Sequence, residues 1–204
     1  MRGVSPVVTA LHEKPRGRVE VQLDGAPWRL VPTDAVVRTG LFVGRALDRD
    51  TARTLGRELR RADALARAAR ALRPRDRSRR ALEARLEQAG VPARARDEAL
   101  ETLERAGLVD DARVAATRAQ ALADRGFGDA AIRYDLEHEG VAGELVEQAL
   151  AGLDSERDRA RALVERRGGG QEGGAAVRTA RRLAAKGFDA ASVADVLGGF
   201  AEDA

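Results

Sequence analysis

Leu86-Glu87-Gln88-Ala89-Gly90-Val91, Leu136-Glu137-His138-Glu139-Gly140-Val141 and Leu183-Ala184-Ala185-Lys186-Gly187-Phe188 write one pattern three times. The glycines stand 50 and 47 residues apart, each with a leucine four positions before it and a hydrophobic residue directly after it. Ten positions beyond each glycine come Leu100, Leu150 and Leu197, and thirteen beyond come Leu103, Leu153 and Phe200. Glycine takes the left-handed conformation that ends a helix at little cost, and an apolar residue after it folds back onto the last turn. Leucines three apart share a helical face. Each glycine therefore closes one helix, and a second helix follows whose leucines pack on the leucine before the glycine.

Working outward, each pair gains an upstream partner helix, expected over 63–72, 111–125 and 155–167, with Asp63, Asp110 and Ser155 as N-caps. The chain is expected to be mainly α: three tandem three-helix repeats over 63–108, 109–153 and 154–204, forming an elongated array. A unit of about 45 residues is too small to be very stable alone and leans on its neighbours. The run Gly168-Gly169-Gly170-Gln171-Glu172-Gly173-Gly174 interrupts the third unit. No Gly-Lys-Ser/Thr follows it and no strand precedes it, so it is expected to be a flexible loop over 168–174.

Residues 1–62 follow another rule. Val19, Val21 and Leu23 alternate with Arg18, Glu20 and Gln22, the period of a half-buried strand, and Asp24-Gly25 supplies a hairpin turn. The return strand over 26–31 should carry Trp28 and Leu30 on its buried face, with Trp28 as the module's largest core side chain. Pro27 confines that strand to an edge. Residues 7–11 offer a third strand. A ribbon this small must pack on a short helix near 34–38 and on the helix that follows Asp48.

Composition agrees with a helical protein. Of 204 residues, 44% are hydrophobic but only 3% aromatic, so the core must come from Leu, Val and Ala. The absence of cysteine excludes disulfides, thiolate metal sites and thiol nucleophiles, and fits a reducing cytoplasm. His12 and His138 are too few for a histidine metal site. No apolar run approaches the roughly 18 residues of a membrane span or resembles a signal peptide, so no membrane role is expected. No nucleophile–base pair, metal set or cofactor loop is visible, which points away from an enzyme and from any cofactor. A monomer is expected.

The net charge is only +3, but it is unevenly spread: +5 over 1–62, +3 over 63–108, −5 over 109–153 and zero over 154–204. The densest basic stretch holds eight arginines between Arg67 and Arg85, against Asp76 and Glu83. Arg70, Arg73, Arg75, Arg77, Arg79, Arg80 and Arg85 are the first candidates for partner binding. On a helix, Ser78, Arg85 and Gln88 face away from the Leu82/Leu86 stripe, where they can meet carboxylates or phosphates. Arg178, Arg181 and Arg182 form a second candidate group. Asp110-Asp111 before a helix is best explained as an N-cap and a first-turn charge, with Arg113 pairing nearby.

The first unit, Arg75-Asp76-Arg77-Ser78 through Leu82, Arg85, Leu86 and Gly90, then Leu108-Val109-Asp110-Asp111-Ala112-Arg113, resembles the RecX family of RecA regulators. Gly126, Ile132, Arg133, Leu136 and Gly140 match the same family's second-unit pattern, which adds Arg133 to the candidates. Ala81, Ala89 and Val114 depart from the pattern, which usually has Glu, Lys and an aromatic there. The resemblance implies a non-enzymatic protein that docks in the groove of the RecA filament and reaches single-stranded DNA through that filament. It also implies suppression of ATP hydrolysis, strand exchange and co-protease activity. Linked modules suit this, because each binds weakly and gains avidity where protomers repeat at matching spacing. A direct DNA binder acting through the basic first repeat is the alternative; the acidic middle unit argues against a continuous DNA track.

Overall fold

A computed structural model describes residues 5–166 and 175–202. The chain divides into two compact units, one of residues 1–75 with 82–108 and one of 76–81 with 109–204. The glycine-rich run 168–174 and the side chain of Phe200 lie outside the described residues.

The first unit opens with an antiparallel sheet in the order β1 (Val8–Lys14), β2 (Arg18–Leu23), β3 (Ala26–Pro32), so β3 and its Pro27 sit at an edge. Val8, Val19, Val21 and Val31 are buried against Ala35 and Val36 of α1 (Thr33–Thr39) and Leu55 of α2 (Arg49–Leu72). Trp28 and Leu30 do not join them. Both are exposed, at 42% and 44%, and Val31 fills the buried place instead. The cause is a β-bulge: Gln22 pairs with Pro27 and Val21 with Arg29, so Trp28 is the extra residue and every later side chain of β3 changes face. Without that bulge Trp28 would stand opposite Val21, as the alternation predicts.

The helix expected to start at Asp63 starts at Arg49. Asp48 caps it, its side chain accepting from the Thr51 amide at 2.8 Å, and α2 then runs 24 residues without a break. Asp63 is an interior residue paired with Arg67 at 2.7 Å. Nothing between 57 and 70 competes with the helix: there is no proline or glycine, and arginine, leucine and alanine are all strong helix formers. The position 62/63 thus falls inside one helix. α3 (Arg79–Gln88) and α4 (Ala93–Arg105) follow, with Leu82, Leu86, Val91, Leu100 and Leu103 buried.

The second unit holds α5 (Asp111–Asp124), α6 (Asp129–Glu139), α7 (Gly143–Ala151), α8 (Glu156–Glu165), α9 (Ala175–Ala185) and α10 (Ala190–Glu202). The repeating glycines do what their spacing predicts. Gly90, Gly140 and Gly187 have φ of 73°, 86° and 83°. The next amide reaches back to the leucine carbonyl each time: Val91 to Leu86, Val141 to Leu136 and Phe188 to Leu183, at 3.0–3.1 Å. Leu86, Leu136 and Leu183 are essentially inaccessible. Burying one leucine contributes about 1.5–3 kcal/mol against roughly 1 kcal/mol for a cap, so the leucine columns hold the helices and the glycines mark their ends. Among the described residues no helix is long and apolar enough to cross a membrane.

Candidate interaction surface

Residues Asp76–Ala81 are laced into the second unit. Asp76 pairs with Arg113 at 3.4 Å, and the Arg79 amide donates to Asp111 Oδ1 at 2.7 Å. Ser78 is fully buried rather than outward-facing. Its hydroxyl donates to the Glu139 carbonyl at the end of α6 and accepts from the Ala81 amide at 3.0 Å. Ser78 thus caps α3 and anchors that cap to α6. A helical wheel puts Ser78 on the solvent side, but Ser78 precedes the helix and the wheel does not apply to it. The aliphatic stem of Arg80 lies over Gly140, where a β-carbon would come within 2.8 Å of Arg80 Cδ.

The aspartates act as helix ends. Asp110 accepts from the Arg113 amide at 3.0 Å and caps α5, and Arg113 returns a contact to Asp110 at 3.7 Å. Asp111 serves two helices, as a first-turn charge on α5 and as the acceptor for the first amide of α3. The Leu-Val-Asp-Asp-x-Arg block is therefore the socket that receives the basic segment.

Of the candidate arginines, Arg77, Arg79, Arg80 and Arg133 belong to the second unit, together with Arg178, Arg181 and Arg182. Arg80 is exposed, and Arg77 and Arg79 are half-buried. Arg133 is spoken for by Glu147 of α7, across the α6–α7 pair. Arg178, Arg181 and Arg182 are exposed along α9. Arg70, Arg73, Arg75 and Arg85 are exposed residues of the first unit, with Arg85 in the last turn of α3, where a cation complements the helix dipole. Gln88 is likewise exposed.

A second cluster, which charge density along the sequence does not reveal, is a clasp between the second and third repeats. Gly128 and the Gly187 turn meet backbone to backbone: the Gly128 amide donates to the Lys186 carbonyl at 2.9 Å, and the Ala130 amide to the Gly187 carbonyl at 3.1 Å. Arg159 is largely buried there, paired with Asp129 and donating to the Phe127 carbonyl at 2.8 Å. The Glu156 carboxylate accepts from the Asp129 amide at 2.6 Å and the Asp189 amide at 3.4 Å. Burial, aided by the charges of Asp129 and Asp189, pushes the Glu156 carboxyl above its ordinary range. Lys186 covers the Phe127 ring, 4.3 Å from its centroid. The available signal was the paired Gly126-Phe127 and Gly187-Phe188, each followed within two residues by an aspartate.

Elsewhere in this unit Arg118 of α5 binds Asp135 and, at 3.3 Å, Glu139 of α6. The hydrogen bond to Asp135 raises the affinity of that guanidinium for its proton. Tyr134 and His138 stack in parallel on the exposed side of α6, 6.2 Å between centroids.

Comparison with known proteins matches residues 110–150 to the second three-helix domain of RecX. No curated protein sequence matches the chain. Among solved structures, a crystal structure of a regulatory protein RecX superposes with a TM-score of 0.79 at 20% identity, covering 94% of this chain and 98% of that one. The RecX of Lactobacillus salivarius superposes at 0.61 with 16% identity, covering 69% of this chain and 96% of that one. The matched residues 110–150 run from the Asp110 cap through α5, α6 and α7, the helices that receive Ser78 and Arg79. Residues 110–150 thus match the second three-helix domain of RecX, and the chain folds as the solved RecX structures do.

Proposed function

We propose that this chain is a non-enzymatic regulator that works in the cytoplasm, binding the groove of the RecA filament on single-stranded DNA and inhibiting ATP hydrolysis, strand exchange and co-protease activity. The observation that carries the reading is the match of 110–150 to the RecX second three-helix domain, which holds the basic segment 76–81 by one buried and one part-buried hydrogen bond. A guanidinium on an immobile backbone loses less entropy on binding than one on a loose strand, which supports Arg77 and Arg80 as contact residues. Separate three-helix modules, each a weak binder, suit a target that repeats along its length. The function asks no bond-making of the protein and no cofactor.

The test is RecA ATP turnover on single-stranded DNA, titrated with this protein. Inhibition at substoichiometric protein is expected, with weaker inhibition by the variant R75A/R77A/R79A/R80A at unchanged helicity. Undiminished ATP turnover at saturating protein would refute the reading. The basic character of the amino-terminal 108 residues favours a second reading, direct DNA binding. That reading requires a steep salt dependence of DNA binding with no recombinase present.

A further inference from the structure

The first unit contains a cationic groove outside every residue considered above as a partner contact. Two adjoining cavities of about 350 and 360 Å³ lie between α2 and α4 and share Arg57, Arg94 and Glu98. The first is walled by Arg53, Arg57, Arg60 and Arg94 against Glu98 as its single carboxylate. The second extends to Arg38, Arg61 and Arg105, and is lined by Glu58 and Glu101 as well as Glu98. Arg53, Arg57 and Arg60 are spaced four and three apart on α2 and so form one stripe.

Of the arginines here Arg61 is the buried one, while Arg38 pairs with Asp34 at 3.1 Å and the half-buried Arg57 meets Glu58 at 3.6 Å. Arg61 is 8% exposed and binds Asp34 at 2.7 Å and Glu58 at 3.3 Å. Arg53, by contrast, leans on Asp50 at 3.5 Å with both side chains at least 80% exposed, and Arg94 meets Glu98 with 71% of its side chain exposed. Exposed pairs of this kind contribute little, so they do not account for four guanidinium groups gathered round one cavity. Gathered like charges repel, and an anion relieves that repulsion.

We infer that the α2–α4 groove binds the phosphodiester backbone of a nucleic acid, without reading its sequence. Three features select this ligand. Guanidinium forks match phosphate oxygens two at a time. Arg57 and Arg94 line both cavities, so guanidinium groups run from one to the next, which fits a linear polyanion better than a single small anion. The apolar lining is confined to Pro92 and Ala95, with no aromatic side chain to stack a base and no large apolar anchor for a protein partner. This is independent of filament binding and rests on the second reading above, direct DNA binding, to which it gives a site.

The test is fluorescence anisotropy of a labelled 20-nucleotide oligothymidylate with the full chain, over a salt series and without recombinase. Single strands give a slope of about −0.7 in log affinity against log salt per phosphate neutralised, so R53Q/R57Q/R60Q should flatten the slope by about 2. It should also weaken binding at low salt at least tenfold. E98Q, which removes the only carboxylate shared by both cavities and releases Arg94, should tighten binding two- to fivefold and does not depend on a loss of structure. Wild-type affinity and slope in the triple variant, or no gain in E98Q, would overturn the inference. So would a triple variant that binds oligothymidylate normally but no longer inhibits RecA, since the groove would then be a protein-docking surface.

Discussion

Replacing Ser78 by alanine tests how the basic segment is held. The hydroxyl makes two hydrogen bonds in a fully buried place, one to the third amide of α3 and one to the carbonyl that ends α6. Loss of an N-cap costs about 1 kcal/mol, and loss of a buried hydrogen bond about another 1 kcal/mol. The sum, near 2 kcal/mol, falls on the second unit. With a urea dependence of about 1.5–2 kcal/mol per molar, the unfolding midpoint followed by far-ultraviolet circular dichroism should drop by roughly 1 M. Asp111→Ala removes the acceptor of the neighbouring amide and should cost about 1 kcal/mol by itself. Because both side chains fix the same turn, the double variant should lose less than the two single losses added together. A Ser78→Ala midpoint equal to wild type would refute the tie. Lost RecA inhibition at unchanged stability would refute it more sharply, for the hydroxyl would then be an outward contact.

Two further outcomes concern the clasp between the second and third repeats. A β-carbon on Gly128 would lie 2.3 Å from the Phe188 amide nitrogen and 2.4 Å from the Gly187 carbonyl, both backbone atoms with no side chain to swing aside. Gly128→Ala should therefore lower the melting temperature by several degrees, whereas Gly143→Ala, which meets nothing within 4 Å, should leave it within a degree or two. The raised Glu156 carboxyl makes the folded state bind its proton more tightly than the unfolded chain does. That contribution is present below the ordinary glutamate value of 4.5 and is lost as pH rises through the raised value. Glu156→Gln keeps an acceptor for an amide and abolishes this titration, so its stability relative to wild type should improve from pH 4 to pH 7. Thermal melts across that range check the sign, and a relative loss toward pH 7 would show that the ionised carboxylate is the better cap.

The parts legible in the sequence are those decided within a few residues. A glycine that must be left-handed, a leucine four before it and an apolar residue after it specify a helix end without help from elsewhere, and all three copies behave alike. Asp110 and Ser155 likewise cap the helices they precede. The failures depend on partners remote in sequence or on a local choice the pattern does not encode. Alternation gives the buried face of β3 only if the hairpin is regular, and one bulge at Trp28 reverses it. Asp63 has the chemistry of a cap, but a helix already running has no amides for it to satisfy. Ser78 finds its second partner 61 residues away. Alanine stands at position 81 where the family pattern has the glutamate of a capping box, and Asp111 of another helix supplies an acceptor at that end instead. The arginine groove is not legible in the sequence because its walls come from residues some 40 positions apart, whereas density along the chain points to 67–85.

The bulge that turns Trp28 outward also gives the molecule a built-in optical reporter. Trp28 is the sole tryptophan, and it sits in water-accessible sheet in the first unit alone. Its emission follows the melting of that half, while ellipticity sums over helices of both. Superimposable curves from the two signals would mean the halves melt as one cooperative body, and separated curves would mean each has its own transition.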